Sequence, residues 1–430
     1  MSSNTKLDQN WEKIFLKYKI LDEIKKNGFF EITSKEINEF REARLMTKFD
    51  HRSQLPELFK NNDLSILPIT RGSYIIGKFD TFHDFNKEPC NVQSFEFPHL
   101  ESLDYENITS ESIAINCAYV SKIIHNFVDE EELFPTVNGR MSSSKFNFKI
   151  TNSKTTTHDV QVINAQIEID GGYEGNNSLV LIEAKNYISN DFLIRQLYYP
   201  YHLWANKINK KVRPVFLTYS NGEFHLREYA FDSLDNYNSI RLLKHTKYII
   251  QKESFNFETL QQILDDIEIL PEPHNAPFPQ ADEFKRVINL CELLLEKDFL
   301  SKEEITENYD FVSRQTDYYS NAGKYLGLID TGRDPATNQI GCYLTDIGKK
   351  ILTTNLADRQ VLYIRQILSY QVFNKTLKLY FEKTSPPSKE EIVKIMKESR
   401  IPNMNSEKTF KRRATTVLSW INWILEQVDE

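Results

Sequence analysis

Cysteine is scarce, with four in 430 residues. Cys90, Cys117, Cys291 and Cys342 stand far apart and form no CxxC pair. That argues against a zinc motif or a disulfide framework and points to a reducing cytoplasm. The nine histidines include no HExxH, no HxH and no His–Asp pairing at ligand spacing, which disfavours a zinc hydrolase. A GxxxxGK[ST] loop is also missing, so ATP-driven translocation is disfavoured. No apolar run reaches the length a bilayer crossing needs. The start, Met1-Ser-Ser-Asn-Thr-Lys-Leu7, lacks a signal-peptide core, so the expectation is a cytoplasmic protein without a membrane partner. Positive charge is not in excess: Lys and Arg total 53 against 61 Asp and Glu, a net charge of -8. Nucleic-acid binders are often basic, so phosphate contacts would have to come from local groups. An acidic metal site would itself add to this negative balance.

The residues that carry chemistry lie in the middle of the chain. Ile167-Glu168-Ile169-Asp170 reads as the end of a strand, with Gly171-Gly172 allowing a bend. The apolar run Leu179-Val180-Leu181-Ile182 leads into Glu183-Ala184-Lys185, as a buried strand should. Strand side chains alternate faces, so Glu183 and Lys185 point the same way and Asp170 can meet them from the neighbouring strand. Glu168 shares the face of Asp170 and is a further water or metal contact. Two carboxylates suit a hard divalent cation such as Mg²⁺. A lysine beside them can position or deprotonate water, or steady a phosphate. A helix-like segment follows from Asp191 to Trp204, then a strand, Val212 to Thr218. The β-β-β-α-β order from 145 to 218 predicts an α/β fold built on a mixed sheet with flanking helices. A single helix is expected from Thr109 to Val128, and a polar loop from Asn138 to Lys145.

The flanks read differently. Residues 10 to about 27 carry apolar positions at one-face helical spacing, with Gly28 at the stop and Ser34 capping a short helix. Arg41, Arg44, Lys48, Arg52 and Arg71 are candidates for a basic surface. Residues 1–95 are taken as an N-terminal α/β module with a role in DNA recognition, and 96–270 as the catalytic domain. The Pro-rich stretch 271–279 reads as a linker. Beyond it, residues 280–355 predict three helices and a hairpin, the order of a winged helix-turn-helix. Residues 356–430 predict a second helical, winged-helix-like domain. Arg314, Gln315, Tyr318, Tyr319, Asn321 and Lys324 on the third helix are the candidate DNA contacts, with Lys411, Arg412 and Arg413 in a later basic helix turn.

Asp170, Glu183 and Lys185 resemble the signature of the PD-(D/E)xK nuclease superfamily: one Asp, a variable gap, then Asp/Glu-x-Lys on the next strand. Ile169 stands where that family often has Pro. Gln196, with Tyr199, is similar to the Gln-containing helix that follows the motif in several of its families. A helix before the catalytic sheet can supply another acid there, which makes Glu111 a candidate. With winged-helix modules in the same chain, the whole resembles type II restriction endonucleases. The resemblance implies a sequence-specific, Mg²⁺-dependent endonuclease that hydrolyses double-stranded DNA to 5′-phosphate ends. Asp170, Glu183 and the backbone carbonyl of Ala184 would hold the metal, Lys185 would serve the attacking water, and Gln196 and Glu168 would complete the site. A duplex cut needs two centres or two visits, so a homodimer is expected. A cognate DNA methyltransferase is expected in the same system, though not as a physical partner. Three other readings stay open. One is a modification-dependent endonuclease with an aromatic cage from Tyr318, Tyr319, Trp420 and Trp423. Another is a non-catalytic winged-helix DNA-binding regulator, and the third a repair or junction-resolving nuclease.

Overall fold

The computed structural model describes residues 5–85, 90–152, 156–250, 255–334, 337–402 and 404–428. Its centre is a seven-stranded mixed sheet. From one edge to the other run Asn91–Phe95, Ile240–Ile250, Glu223–Phe231, Lys211–Ser220, Ser178–Lys185, Gln166–Gly175 and Leu133–Ser142. Only Ser178–Lys185 with Lys211–Ser220, and Ile240–Ile250 with Asn91–Phe95, pair in parallel. The first of these pairs is bridged by the Arg195–Ala205 helix, as a parallel connection requires.

Ser178–Lys185 is buried along its whole length, because helices cover both faces of the sheet there. Val180, Ile182 and Ala184 pack with Ile115, Ala118, Ile123 and Phe127 of the helices Glu111–Val120 and Ile123–Val128. Leu179 and Leu181 face the other way, toward Tyr201 and Trp204 of the Arg195–Ala205 helix. Period-two alternation then puts Glu183 and Lys185 on that second face, beyond the apolar filling.

Several expected boundaries move. The first helix is two, Lys6–Tyr18 and Ile20–Asn27, broken at Lys19 in the left-handed conformation (φ 50). The Thr109–Val128 segment is likewise two helices, broken at Lys122 (φ 65). Thr33, not Ser34, caps the next short helix, through a capping box with Glu36. The Gln166–Gly175 strand does not end at Asp170 but runs on through both glycines. A Cβ on Gly172 would lie 2.4 Å from the carbonyl oxygen of Val137. The glycine therefore serves close approach of the edge strand rather than a bend. That edge strand, Leu133–Ser142, replaces the expected polar loop.

The N-terminal segment adds a three-stranded sheet, Phe29–Thr33, Ser65–Pro68 and Ser73–Gly77. It shares one core with the hairpin Lys145–Thr151/Thr157–Ile163 and with Leu197, Tyr198 and Tyr199. The C-terminal segment runs Phe284–Lys297, Leu300–Ser301, Lys302–Asn308, Ser313–Tyr325, Ile329–Arg333, Ile340–Leu344 and Asp346–Leu352. The three short strands form one sheet. Four further helices, Leu356–Leu368, Gln371–Lys383, Lys389–Glu398 and Glu407–Glu426, share its core. Ala276 and Phe278 of the Pro-rich stretch are buried in that same core, so the stretch is packed down rather than a free tether. Among the described residues, no helix is long and apolar enough to cross a membrane.

Candidate active site

Asp170, Glu183, Lys185 and Gln196 converge at the floor of a cleft of about 470 Å³. Lys185 Nζ donates to Glu183 Oε1 at 2.7 Å and to the carbonyl of Ala184 at 3.1 Å. Gln196 Nε2 donates to the same Glu183 oxygen at 2.6 Å. Asp170 sits just past the last ladder pair with the motif strand, Ile182 opposite Gly171. Its Oδ2 accepts the Ala184 amide at 2.9 Å, in place of a ladder bond. Glu111, at the start of its helix, reaches Lys185 Nζ at 3.7 Å. Glu168 lies at the rim, half exposed and ion-paired to Arg140 Nε at 3.2 Å.

Burial dominates the electrostatics of the floor. It pushes the Glu183 carboxyl up to about 8, against the pull of Lys185. Burial likewise raises Glu111 and Asp170. Burial alone would lower Lys185, but Glu183 and Glu111 raise it well above its ordinary value. The ammonium is thus held protonated, which favours a positioning and charge-balancing role over proton abstraction.

These groups fit a divalent cation. Three carboxyl groups, Asp170, Glu183 and Glu111, crowd together around Lys185, and a divalent cation that displaced their protons would be held by the carboxylates so formed. Gln196 Oε1 is buried without a hydrogen-bond partner.

Lys48, expected on a basic surface, lines the cleft instead. Other lining residues carried no sequence signal of their own: Asp50 enters from the N-terminal segment, and Glu296, Lys297, Asn308 and Tyr309 from the C-terminal one. Burial opposes ionisation of Asp50, yet Lys185 and Lys48 hold its carboxyl below the ordinary value. Behind it, His51 Nε2 meets the Tyr187 hydroxyl at 2.8 Å, and His51 Nδ1 meets the Asp191 carbonyl at 2.7 Å. Arg195 lines the cleft beside Gln196; only its place next to Gln196 in the chain could have drawn attention to it.

The candidate DNA contacts divide. Arg314 is exposed and donates through Nε to the Tyr318 hydroxyl. Against burial, Arg314 and then Arg412 pull the proton affinity of the Tyr318 hydroxyl down, so the two basic groups, distant in sequence, lie around one tyrosine. Lys411 is exposed and Asn321 half-buried. Gln315 Oε1 accepts the Val312 amide at 3.1 Å and serves as a helix cap. Lys324 is tied to Asp330 at 2.8 Å. Arg413 is partly buried, with Nη1 lacking a partner. Tyr319 is a correction: it packs into the core against Phe311, with ring centroids 5.5 Å apart, and is 7% exposed. Trp420 and Trp423 are core residues as well, so these aromatics do not form an open cage. Arg41 and Arg52 are spent on Glu307, Asp84 and Asp191; Arg44 and Arg71 are exposed.

Three family models match the chain, each described as a domain of unknown function: DUF6996 over residues 8–76, DUF6997 over 77–249 and DUF7226 over 286–429. The motif lies within the second, and the cleft draws residues from all three spans. No curated protein and no solved structure matches.

Proposed function

We propose that the protein is a divalent-metal-dependent DNA endonuclease of the PD-(D/E)xK type, acting on specific sequences in the manner of a type II restriction enzyme. The observation that carries this reading is the convergence of Asp170, Glu183, Lys185 and Gln196 on one cleft floor. Their strand and helix positions match the order that the resemblance implies. Asp170 and Glu183 are the metal-holding carboxylates, joined by the Ala184 carbonyl, with Glu111 beside them. A bound Mg²⁺ would supply charge neutralisation at the phosphate and a more acidic water. Gln196 fixes the Glu183 carboxylate. Lys185 presents an ammonium to the attacking water or the phosphate oxygen. Glu111, its carboxyl raised by burial, also lines the cleft, 3.7 Å from Lys185.

The C-terminal order of three helices, short strands and a hairpin supports a winged-helix reading, with Arg314, Tyr318 and Arg412 as its phosphate-facing patch. The buried Trp420, Trp423 and Tyr319 give the modification-reading alternative no support.

The test is incubation of purified protein with unmodified phage DNA and Mg²⁺, followed by sequencing of the fragment ends. Discrete fragments bearing 5′-phosphates, absent with Lys185→Ala, are expected. Intact DNA under all conditions, methylated substrates included, would sink the proposal.

A further inference from the structure

Cys90, His225 and His245 show no ligand spacing in the sequence, yet the sheet brings them together. Asn91 pairs with Thr246 in parallel, so one step back along both strands sets Cys90 beside His245. His245 lies opposite Arg227 in the antiparallel pair, two residues from His225, a diagonal that long side chains can span. The Cys90 sulfur and one ring nitrogen from each histidine all lie within 4.8 Å of one another, on half-buried residues. His225 Nδ1 and His245 Nε2 are 3.1 Å apart. Two nitrogens on a tetrahedral zinc, with bonds of about 2.0 Å, stand about 3.3 Å apart.

The outer atoms agree. His225 Nε2 meets Glu223 Oε2 at 3.4 Å, the carboxylate-behind-histidine arrangement that fixes the tautomer of a ligating ring. Lys247 and Lys285 hold Glu223 in turn, at 3.0 and 3.1 Å. A simple imidazole–imidazole hydrogen bond would account for the 3.1 Å approach but not for the sulfur beside it.

We propose that Cys90, His225 and His245 form a second metal site, selective for a zinc-class cation. A thiolate with two imidazoles prefers zinc over Mg²⁺, so the site is chemically separate from the carboxylate cleft. Its role is structural. The Asn91–Phe95 edge strand buries little of itself, and a metal at its start rivets it to the two strands that carry the histidines. The inference stands independently of the proposed nuclease activity.

The experiment loads full-length, metal-stripped protein with Co²⁺ in excess Mg²⁺, which occupies the carboxylates. The expected result is one tightly bound Co²⁺ per chain, with a sulfur-to-cobalt charge-transfer band that Zn²⁺ erases. Cys90→Ser should abolish the band, and His245→Ala should weaken Co²⁺ binding at least tenfold; Cys117→Ser should change neither. In wild-type protein, Zn²⁺ should also protect Cys90 from alkylation as read by mass spectrometry, which needs no variant to fold. Absence of the band, its survival in Cys90→Ser, or alkylation unaffected by Zn²⁺ would each overturn the proposal.

Discussion

On the proposed activity, Lys185 is the residue on which the chemistry turns. It is nine-tenths buried among Glu183, Glu111 and the Ala184 carbonyl. Lys185→Ala is expected to lower cleavage at least about 10²–10³-fold, the scale of losing one preorganised donor, while gel-shift affinity for DNA persists. Gln196 acts one step back, through Glu183. Gln196→Ala should weaken Mg²⁺ binding or activity about 10–100-fold, visible as a raised Mg²⁺ requirement. The raised Glu183 carboxyl has a pH signature. The folded chain keeps that proton up to about 8, whereas an exposed carboxyl loses it near 4.5. Without metal, stability therefore falls as pH rises through that window, because the unfolded chain holds fewer protons. On the proposed metal dependence, Mg²⁺ would have to displace that proton, so its affinity should climb with pH and level off above about 8. Calorimetry at pH 7 in buffers of different ionisation enthalpy should detect proton release on binding, and its absence would refute this account.

Among the elements, the motif strand announced itself. A run of apolar residues ending in Glu-x-Lys has few interpretations other than a buried central strand. The helix caps at Ser110, Ser301 and Ser388 each depend on residues within one turn, the range over which a local pattern holds. Leu133–Ser142 was not legible, because its burial shows no alternation and its middle, Asn138-Gly139-Arg140, looks like a loop. The helix breaks at Lys19 and Lys122 carry no glycine or proline to mark them. Asp50 and the His51–Tyr187 hydrogen bond depend on long-range packing that no local pattern records. The close approach at Gly172 gives an element-level prediction. Gly172→Ala should displace the edge strand from the Val137 carbonyl, costing about 1–3 kcal/mol in denaturant melts. On the Ser313–Tyr325 helix, Arg314→Ala should reduce the salt slope of DNA binding by about 0.9 for each phosphate that the guanidinium neutralises. An unchanged slope would remove Arg314 from the DNA-facing set.

For the molecule as a whole, Asp310 is the junction. It accepts from Ser53 Oγ at 2.6 Å and the Asn190 amide at 2.7 Å, and lies 3.5 Å from the buried Arg286 guanidinium. One carboxylate thereby ties the N-terminal, central and C-terminal segments together. Asp310→Ala should cost about 1–3 kcal/mol by leaving the Ser53 hydroxyl and the Asn190 amide without their acceptor, while Arg286 keeps Glu283 and the residue-310 carbonyl. Limited proteolysis should then find new cuts between the central sheet and the Phe284–Lys297 helix. If the variant melts and digests like wild type, the segments are held by other interactions.

The last wall of the cleft, Asn308 and Tyr309, reaches the cavity only after most of the chain has been synthesised. On the proposed activity, a nascent chain still on the ribosome would carry Asp170, Glu183 and Lys185 but not the finished pocket around them. Host DNA would be spared by the order of translation itself, until the C-terminal helices close the cleft. Chains ending before Phe284 should accordingly be harmless when expressed in cells whose DNA lacks protective methylation, whereas the full-length protein should not.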